Sequence, residues 1–190
     1  MSKKIITTPD PRLREKSTKV KKIDDQTKKI IADMIKMSLD WEKGHPYELS
    51  TAMAAPQMGV NKRIIIVRDD LDSKDETAFT ALINPEIIKL SGKKVIDSEG
   101  CLSVPFVYGN VPRFDKARIK AKLVDGTEVR IKADGQLART LQHEIDHLDG
   151  ILFIDRIKND RNAFFELDGE DLKPLAYDDI INNKDLFPDD

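Results

Sequence analysis

Two histidines four residues apart, His143 and His147, constrain the fold of this 190-residue chain more than any other feature. On an α-helix this spacing places both imidazoles on one face, where one metal ion can use both. Glu144 is offset from them by about 60–100°, which suits a base better than a ligand. The opposite side of the helix carries an apolar stripe of Leu137, Leu141, Ile145 and Leu148. Since both sides need burial, we expect a central helix enclosed by other elements.

Composition limits the classes of partner. The chain has 32 basic and 34 acidic residues and a formal net charge of -2, so bulk charge provides no attraction to nucleic acid or to an anionic membrane. No apolar run approaches the roughly 20 residues that cross a bilayer, and the first residues lack the apolar stretch of a signal peptide. We therefore expect no membrane partner and no specific recognition of nucleic acid. We expect a cytoplasmic location, or an organellar matrix or stroma if the protein comes from a eukaryote.

The chain reads as one domain over residues 1–165, followed by an acidic and partly ordered tail over residues 166–190. A helix is expected from Asp24 or Asp25 to about Trp41, and a buried strand over residues 64–67. The clearest hairpin joins residues 118–124 to residues 127–133 through Asp125 and Gly126, a pair favoured in two-residue turns.

Weaker patterns complete the fold prediction. We expect short strands over residues 81–83, 87–90, 95–97 and 151–154, and a weak helix around Phe164, Phe165 and Leu167. Asp134 can cap the histidine helix, and Gly150 can end it. This order of elements predicts an α+β fold, with mixed or antiparallel sheets wrapped around the central metal-binding helix and an additional N-terminal helix.

A metal ion needs a further ligand, and Cys101, the only cysteine, is the candidate. A free cysteine is more often a small buried hydrophobic residue, so this residue alone does not decide the matter. The histidine helix taken alone indicates a general zinc peptidase. Asp146 can either orient an imidazole or meet water or a surface partner, and we interpret it as a solvent-facing or surface-paired residue.

The context of Cys101 is more specific. Residues 99–103 read EGCLS, and residues 142–147, about forty residues later, read QHEIDH. Together these segments resemble peptide deformylase, the hydrolase that removes the formyl group from the N-terminal formylmethionine of new proteins. The resemblance extends to residues 9–13, 84–85, 111–113 and 147–153. It therefore covers most of the chain up to about Ile157.

The resemblance implies a set of roles. Cys101, His143 and His147 would hold one divalent metal ion and leave a fourth position for water, as in catalytic sites. Glu144 would act as general base and then as general acid. The side-chain amide of Gln57 and the backbone N–H of Leu102 would stabilise the negative charge that develops on the carbonyl oxygen.

The substrate implied by the resemblance is an N-formylmethionyl peptide. The family analogy places Thr51, Ala52, Met53, Gly100 and Thr140 near its pocket. Members of the family carry two glycines in the first motif where this chain has Ser50 and Ala52. A methyl group at Ala52 can narrow the cleft or forbid a positive φ angle. Two alternatives follow from this departure: a related metallohydrolase, acting as a deacylase or peptidase, and an inactive deformylase-like protein that binds peptides.

The metal cannot be identified from the ligands. A thiolate with two imidazoles accepts Zn²⁺ readily, whereas the resemblance implies Fe²⁺ as the physiological ion, with Zn²⁺, Ni²⁺ or Co²⁺ able to replace it. The resemblance also implies a transient contact with the ribosome. We expect a monomer.

Overall fold

The protein is described from a computed structural model that covers residues 4–45, 48–73, 77–168 and 171–188. Within these residues, seven strands form one antiparallel sheet in the order β1-β2-β3-β4-β6-β7, with β5 also paired to β4. The strands are β1 (Ala52–Ala54), β2 (Ile64–Arg68), β3 (Phe79–Cys101), β4 (Val104–Lys122), β5 (Glu128–Asp134), β6 (Phe164–Asp168) and β7 (Asp171–Pro174). The helices are α1 (Asp25–Glu42), α2 (Gly135–Leu148), α3 (Phe153–Ile157) and α4 (Tyr177–Ile181). The predicted α+β class is confirmed.

Helix α2 carries the histidines, and its apolar stripe packs against the sheet. Leu141, Ile145 and Leu148 belong to one buried cluster with Ile119 of β4. Asp134 precedes the helix as expected, but its side chain makes no capping hydrogen bond. Gly150 follows the helix with φ +76°, and a Cβ there would lie 2.4 Å from the carbonyl oxygen of Arg14. Glycine is therefore required where the chain leaves α2.

Strands β3 and β4 form a long hairpin, and β3 corrects one expectation. The short strands predicted over residues 81–83, 87–90 and 95–97 are one continuous strand whose pairing with β4 shifts register at four places. Asn84 has φ +52° and Gly92 has φ +81° within this strand. Because each bulge reverses the alternation of buried and exposed residues, the sequence pattern breaks into pieces although the strand does not.

Three other predicted elements are confirmed. Helix α1 begins after Asp24, whose carboxylate accepts a hydrogen bond from the Thr27 backbone N–H at 2.9 Å. The buried strand over residues 64–67 is β2. The predicted hairpin is β4–β5, but its turn is longer than the two residues expected: Leu123 pairs with Thr127, and Gly126 between them has φ +90°.

Two predictions near the C-terminus are wrong. Residues 151–154 do not form a strand, because the chain enters helix α3 at Phe153. The segment around Phe164 is not helical, because Phe164 and Phe165 pair with Gly109 and Tyr108 of β4 and form strand β6. Further along the chain, Ile180, Leu186 and Phe187 are buried in the same cluster as α3. The division at residue 165 stays a prediction. None of the helices in the described ranges has the length and apolar character of a transmembrane span.

Candidate metal centre

Three predicted ligands meet at one point. Cys101 ends β3, and His143 with His147 project from α2 toward it, so that one ligand atom from each lies within 4.8 Å of the others. The Sγ atom of Cys101 lies 3.2 Å from Nε2 of His147. One thiolate and two imidazoles form a donor set that Zn²⁺ and other transition metals accept. These three residues could therefore hold a metal ion.

The ring of His143 is held by Glu99. Its Nδ1 atom lies 2.9 Å from Oε2 of Glu99, which leaves Nε2 available as a ligand. Arg113 and Arg139 donate hydrogen bonds to Oε1 of the same carboxylate at 2.7 and 2.6 Å. Burial alone would raise the pKa of Glu99, but the hydrogen bonds from His143 and Arg113 outweigh burial and hold that pKa below its usual range. Glu99 is thus a buried anion that fixes one imidazole.

Asp146 joins the same network, and the interpretation of it as a solvent-facing residue is wrong. Its side chain is buried and accepts hydrogen bonds from Arg113 at 2.6 Å and from Nε of Arg156 at 2.5 Å. Arg113 therefore contacts both Glu99 and Asp146, two carboxylates that the sequence gives no reason to connect.

The electrostatics around the two histidines favour a cation. Burial lowers the pKa of His147 well below its ordinary value, which keeps the ring neutral as a metal ligand must be. Burial would also lower the pKa of His143, but hydrogen bonds to Cys101 and Glu99 outweigh burial and raise that pKa. The thiol and the carboxylate therefore both stabilise positive charge at this ring. A metal ion between the thiolate and the imidazoles would satisfy the same preference.

Glu144 lies beside the ligands and is 5% exposed. Burial raises the pKa of its carboxyl group to about 7, against the opposing effects of His143 and Arg113. Its Oε2 atom is buried and has no hydrogen-bond partner among the described residues. A buried oxygen in this position needs a partner, since an unsatisfied acceptor costs about 1–3 kcal/mol. The residues around the cluster therefore fit a centre completed by a cation and solvent.

Gln57 and the turn after Cys101 form the other side of the centre. The Gln57 amide oxygen accepts from the Ala54 backbone N–H at 2.8 Å, and this orients its Nε2 toward Cys101 Sγ at 3.7 Å. The same Nε2 donates to the hydroxyl of Ser103 at 3.3 Å. Leu102 lies in the turn between β3 and β4, directly after the cysteine.

Sequence reasoning missed three residues of this centre: Ser103, Glu99 and Arg139. The backbone N–H of Ser103 donates to Cys101 Sγ at 3.4 Å, so Ser103 supports both the thiolate and Gln57. A signal existed for Arg139, because it lies one helical turn before His143 on α2. For Ser103 and Glu99 the only signal was their position beside the cysteine.

The predicted substrate residues lie on or beside three elements, β3, α2 and β1. Gly100 is exposed beside Cys101, and the ring of Tyr108 lies over it, since a Cβ at Gly100 would be 2.6 Å from that ring. Thr140 is buried on α2. Thr51 precedes β1, the edge strand that leads to Gln57. Along β1 the side chain of Met53 is fully buried in the cluster that contains Met34 of α1.

The two residues that stand where the family carries glycines, Ser50 and Ala52, have structural roles. The Ser50 hydroxyl lies 2.6 Å from the Ser38 hydroxyl, and the Ser50 backbone N–H donates to Glu42 at 2.8 Å, so Ser50 ties this segment to α1. Ala52 pairs with Val67 in extended backbone, and its methyl group is in the buried cluster of α2. Positive φ angles outside glycine occur, within the described residues, only at Asn84 and Phe106. A forbidden φ angle at Ala52 is therefore not present.

Comparison with known proteins gives one consistent family. The family model described as Polypeptide deformylase matches residues 2–163. The chain is 45% identical to the peptide deformylase of Thermomicrobium roseum over 82% of this chain and 85% of that relative. It is also 45% identical to the peptide deformylase of Halothermothrix orenii over 78% of this chain and 88% of that relative.

Solved structures agree with the sequence comparisons. The crystal structure of a peptide deformylase from Legionella pneumophila matches with a TM-score of 0.71 and 36% identity, covering 81% of this chain and 85% of that chain. A peptide deformylase from Synechococcus elongatus in complex with actinonin matches with a TM-score of 0.71 and 36% identity, covering 82% and 79%.

Proposed function

Because the chain belongs to the polypeptide deformylase family, we propose that it hydrolyses the N-formyl group of N-terminal formylmethionine on nascent polypeptides. The observation that carries the proposal is the convergence of Cys101, His143 and His147 within 4.8 Å beside a buried Glu144. Cys101, His143 and His147 would hold one divalent metal ion. When bound, that ion would supply Lewis-acid polarisation and would lower the pKa of water toward neutrality.

Glu144 would move the proton. A carboxyl group with a pKa of about 7 exists in both protonation states near neutral pH, so it can accept a proton from water and return it to the leaving amine. Its side chain is buried, which separates it from bulk solvent. We propose that one of its carboxylate oxygens carries the proton.

Gln57 and Leu102 would stabilise charge on the formyl oxygen. The Nε2 atom of Gln57 already points toward the centre, fixed by the bond between its carbonyl oxygen and Ala54. The backbone N–H of Leu102 is the second donor that the family resemblance suggests. Removing one donor of this kind typically lowers the rate by about 10²–10³-fold.

The peptide would lie along β1. This strand is at the edge of the sheet, with β2 on one side and no second strand partner among the described residues. An edge strand offers backbone groups to an extended peptide. The residues that we propose for substrate contact are Thr51 and Ala52 on that edge, Gly100 near the end of β3 and Thr140 on α2.

We propose Fe²⁺ as the physiological ion, with Zn²⁺, Ni²⁺ or Co²⁺ able to occupy the same ligands. A ferrous ion next to a thiolate is sensitive to oxygen. Activity that is lost in air and kept in an anaerobic preparation, with iron found by elemental analysis, would support this assignment. Activity indifferent to air would contradict it. We further propose a cytoplasmic monomer that contacts the ribosome transiently.

Release of formate tests the activity. Formyl-Met peptides are compared with acetyl-Met peptides and with an unblocked peptide, using anaerobically purified protein. Turnover of the formyl substrate alone supports the proposal, whereas turnover of acetylated peptides or internal bonds would select the alternative metallohydrolase. An inactive protein that still binds formyl-Met peptides would select the non-enzymatic alternative, which the named relatives do not favour. Actinonin, present in the Synechococcus elongatus structure, is expected to bind and to raise the melting temperature.

A further inference from the structure

The outer surface of β4 carries a row of cations. Lys116, Arg118, Lys120 and Lys122 are exposed, and they alternate with the buried residues Ala117, Ile119 and Ala121. The buried set belongs to the cluster that packs against α2. Because successive side chains of a strand point to opposite sides, the cations face away from α2 and from the metal centre.

Neighbouring strands extend the row into a patch. Arg118 lies opposite Lys89 of β3 and Lys132 of β5, and Lys120 lies opposite Arg130 of β5. All three of these partners are exposed. We call Lys89, Lys116, Arg118, Lys120, Arg130 and Lys132 the basic face. Strands are about 4.8 Å apart, and like charges directly opposite one another destabilise a sheet.

The acidic groups nearby do not neutralise the basic face. Glu86, opposite Lys120, is bound to Lys19 at 2.5 Å, Glu128 lies 3.7 Å from Lys122, and Asp134, opposite Lys116, forms no ion pair with it in the described part of the chain. Across the residues that the structure describes, none of the six cations forms an ion pair with a carboxylate. A chain with a formal net charge of -2 therefore concentrates unpaired positive charge on one side of its sheet. Charge complementarity requires a polyanion as the partner.

The composition of the basic face distinguishes between polyanions. None of its members or cross-strand partners is aromatic, which disfavours single-stranded nucleic acid because that ligand is bound by base stacking. Ile88, next to Lys89, is the one exposed large apolar side chain beside a member of the face, and a single side chain is less than the apolar surface that membrane-bound segments bury. Of the polyanions compared, a nucleic-acid double helix fits best, because it presents its phosphates to a flat charged surface.

The width of the face favours RNA over DNA. Its outer strands are about 10 Å apart before side chains are counted, which is too broad for a DNA minor groove of about 6 Å. A DNA major groove of about 12 Å admits a two-stranded ribbon, whereas this face lies on three strands. The wide and shallow minor groove of A-form RNA is bound through its shape and its flanking phosphates. We propose that the basic face binds the phosphate backbone of double-helical RNA across its minor groove.

Binding there would leave the metal centre open, because the face lies on the side of the sheet away from α2. RNA binding by the basic face would not depend on the hydrolytic reaction. Identification of the RNA as a ribosomal helix is a further step that rests on the proposed function, since nascent peptides are made on ribosomes.

Salt-dependent binding to an RNA duplex of about 20 base pairs tests the proposal, measured by fluorescence anisotropy. Six phosphate contacts predict a slope of log affinity against log salt near about -5, so affinity falls on the order of 10³-fold between about 50 and 200 mM salt. The combined variant Lys89→Gln, Arg118→Gln and Lys132→Gln should roughly halve the slope, to about -2.7 for the three remaining contacts, leaving a fall of about 40-fold over the same range.

A matched control removes the same net charge elsewhere. Lys29, Lys36 and Lys43 are exposed on or just after α1, where each is paired with an aspartate. Changing these three lysines to Gln should give the same slope of log affinity against log salt as the wild-type protein. Equal weakening by both triple variants would show that only net charge matters and would overturn the proposal. So would the absence of RNA binding, or equal or tighter binding to a DNA duplex or to anionic vesicles.

Formate release from a free formyl-Met peptide is measured on the same proteins. We expect both triple variants to keep wild-type turnover, because none of the six residues changed in these two variants lies in the metal centre. Absence of RNA binding by the wild-type protein, with normal turnover, refutes only the role of the basic face. Normal RNA binding without turnover refutes only the proposed hydrolysis.

Discussion

The substitution Ala52→Gly tests how this chain tolerates alanine where its family carries glycine. The Ala52 methyl group is in the buried cluster with α2, and the residue is 8% exposed. Its deletion removes about 0.8 kcal/mol of burial. Glycine within a strand costs a further 0.5–1 kcal/mol or so through chain entropy. We therefore expect the free energy of unfolding to fall by about 1.5 kcal/mol.

For a chain of this size the loss corresponds to a melting temperature lower by about 3–6 °C. Thermal unfolding followed by circular dichroism measures the shift, and formate release from formyl-Met peptides measures kcat/KM. We expect kcat/KM to change little, because the structure places the methyl group in the core and the backbone of β1 is already extended.

Ala81→Gly is the matched control. Ala81 is 6% exposed, lies on β3 opposite Ile66, and belongs to the cluster beneath α1. Its loss of stability should equal that of Ala52→Gly, with activity unchanged. A rise in kcat/KM of about tenfold in Ala52→Gly, without loss of stability, would refute this reasoning and show that the methyl group obstructs the cleft.

Three further predictions concern the centre and its surroundings. Glu144→Gln should keep nearly the wild-type metal content but abolish formate release, and substantial remaining activity would exclude Glu144 as the proton carrier. Cys101→Ala should lower metal occupancy itself, as elemental analysis would measure; full occupancy would exclude the thiolate as a ligand. Tyr108→Phe removes the 2.5 Å bond from the Tyr108 hydroxyl to Glu48 and should lower the free energy of unfolding by about 1 kcal/mol. Urea unfolding measures this loss, Glu48→Ala, which removes the acceptor, should reproduce most of it, and an unchanged midpoint in both variants would contradict it.

Local patterns in the sequence were sufficient for the elements closest to the chemistry. The spacing of His143 and His147 with the apolar stripe behind them determines helix α2, and Asp125 with Gly126 determines the β4–β5 turn. These signals act within a few residues, so they need no knowledge of distant partners.

The elements that failed depend on distant partners. Phe164 and Phe165 become strand because β4 offers them a pairing edge more than fifty residues away in the sequence. The bulges of β3 break its periodicity, although β4 follows it through every shift of register. In both cases tertiary pairing overrides the local preference that a sequence reveals.

The surroundings of the metal ligands were hidden for the same reason, and they explain why this core contains charges at all. Arg113 on β4 contacts Glu99 on β3 and Asp146 on α2, so one guanidinium connects three elements around the centre. Buried ion pairs are weak contributors to net stability, since desolvation opposes their attraction. Hydrophobic residues of equal volume in place of these charges would stabilise the folded state equally well. Glu99 orients His143, however, and Arg113 connects Glu99 to Asp146 on the same helix. Positioning of His143 is therefore the role that accounts for burying these charges.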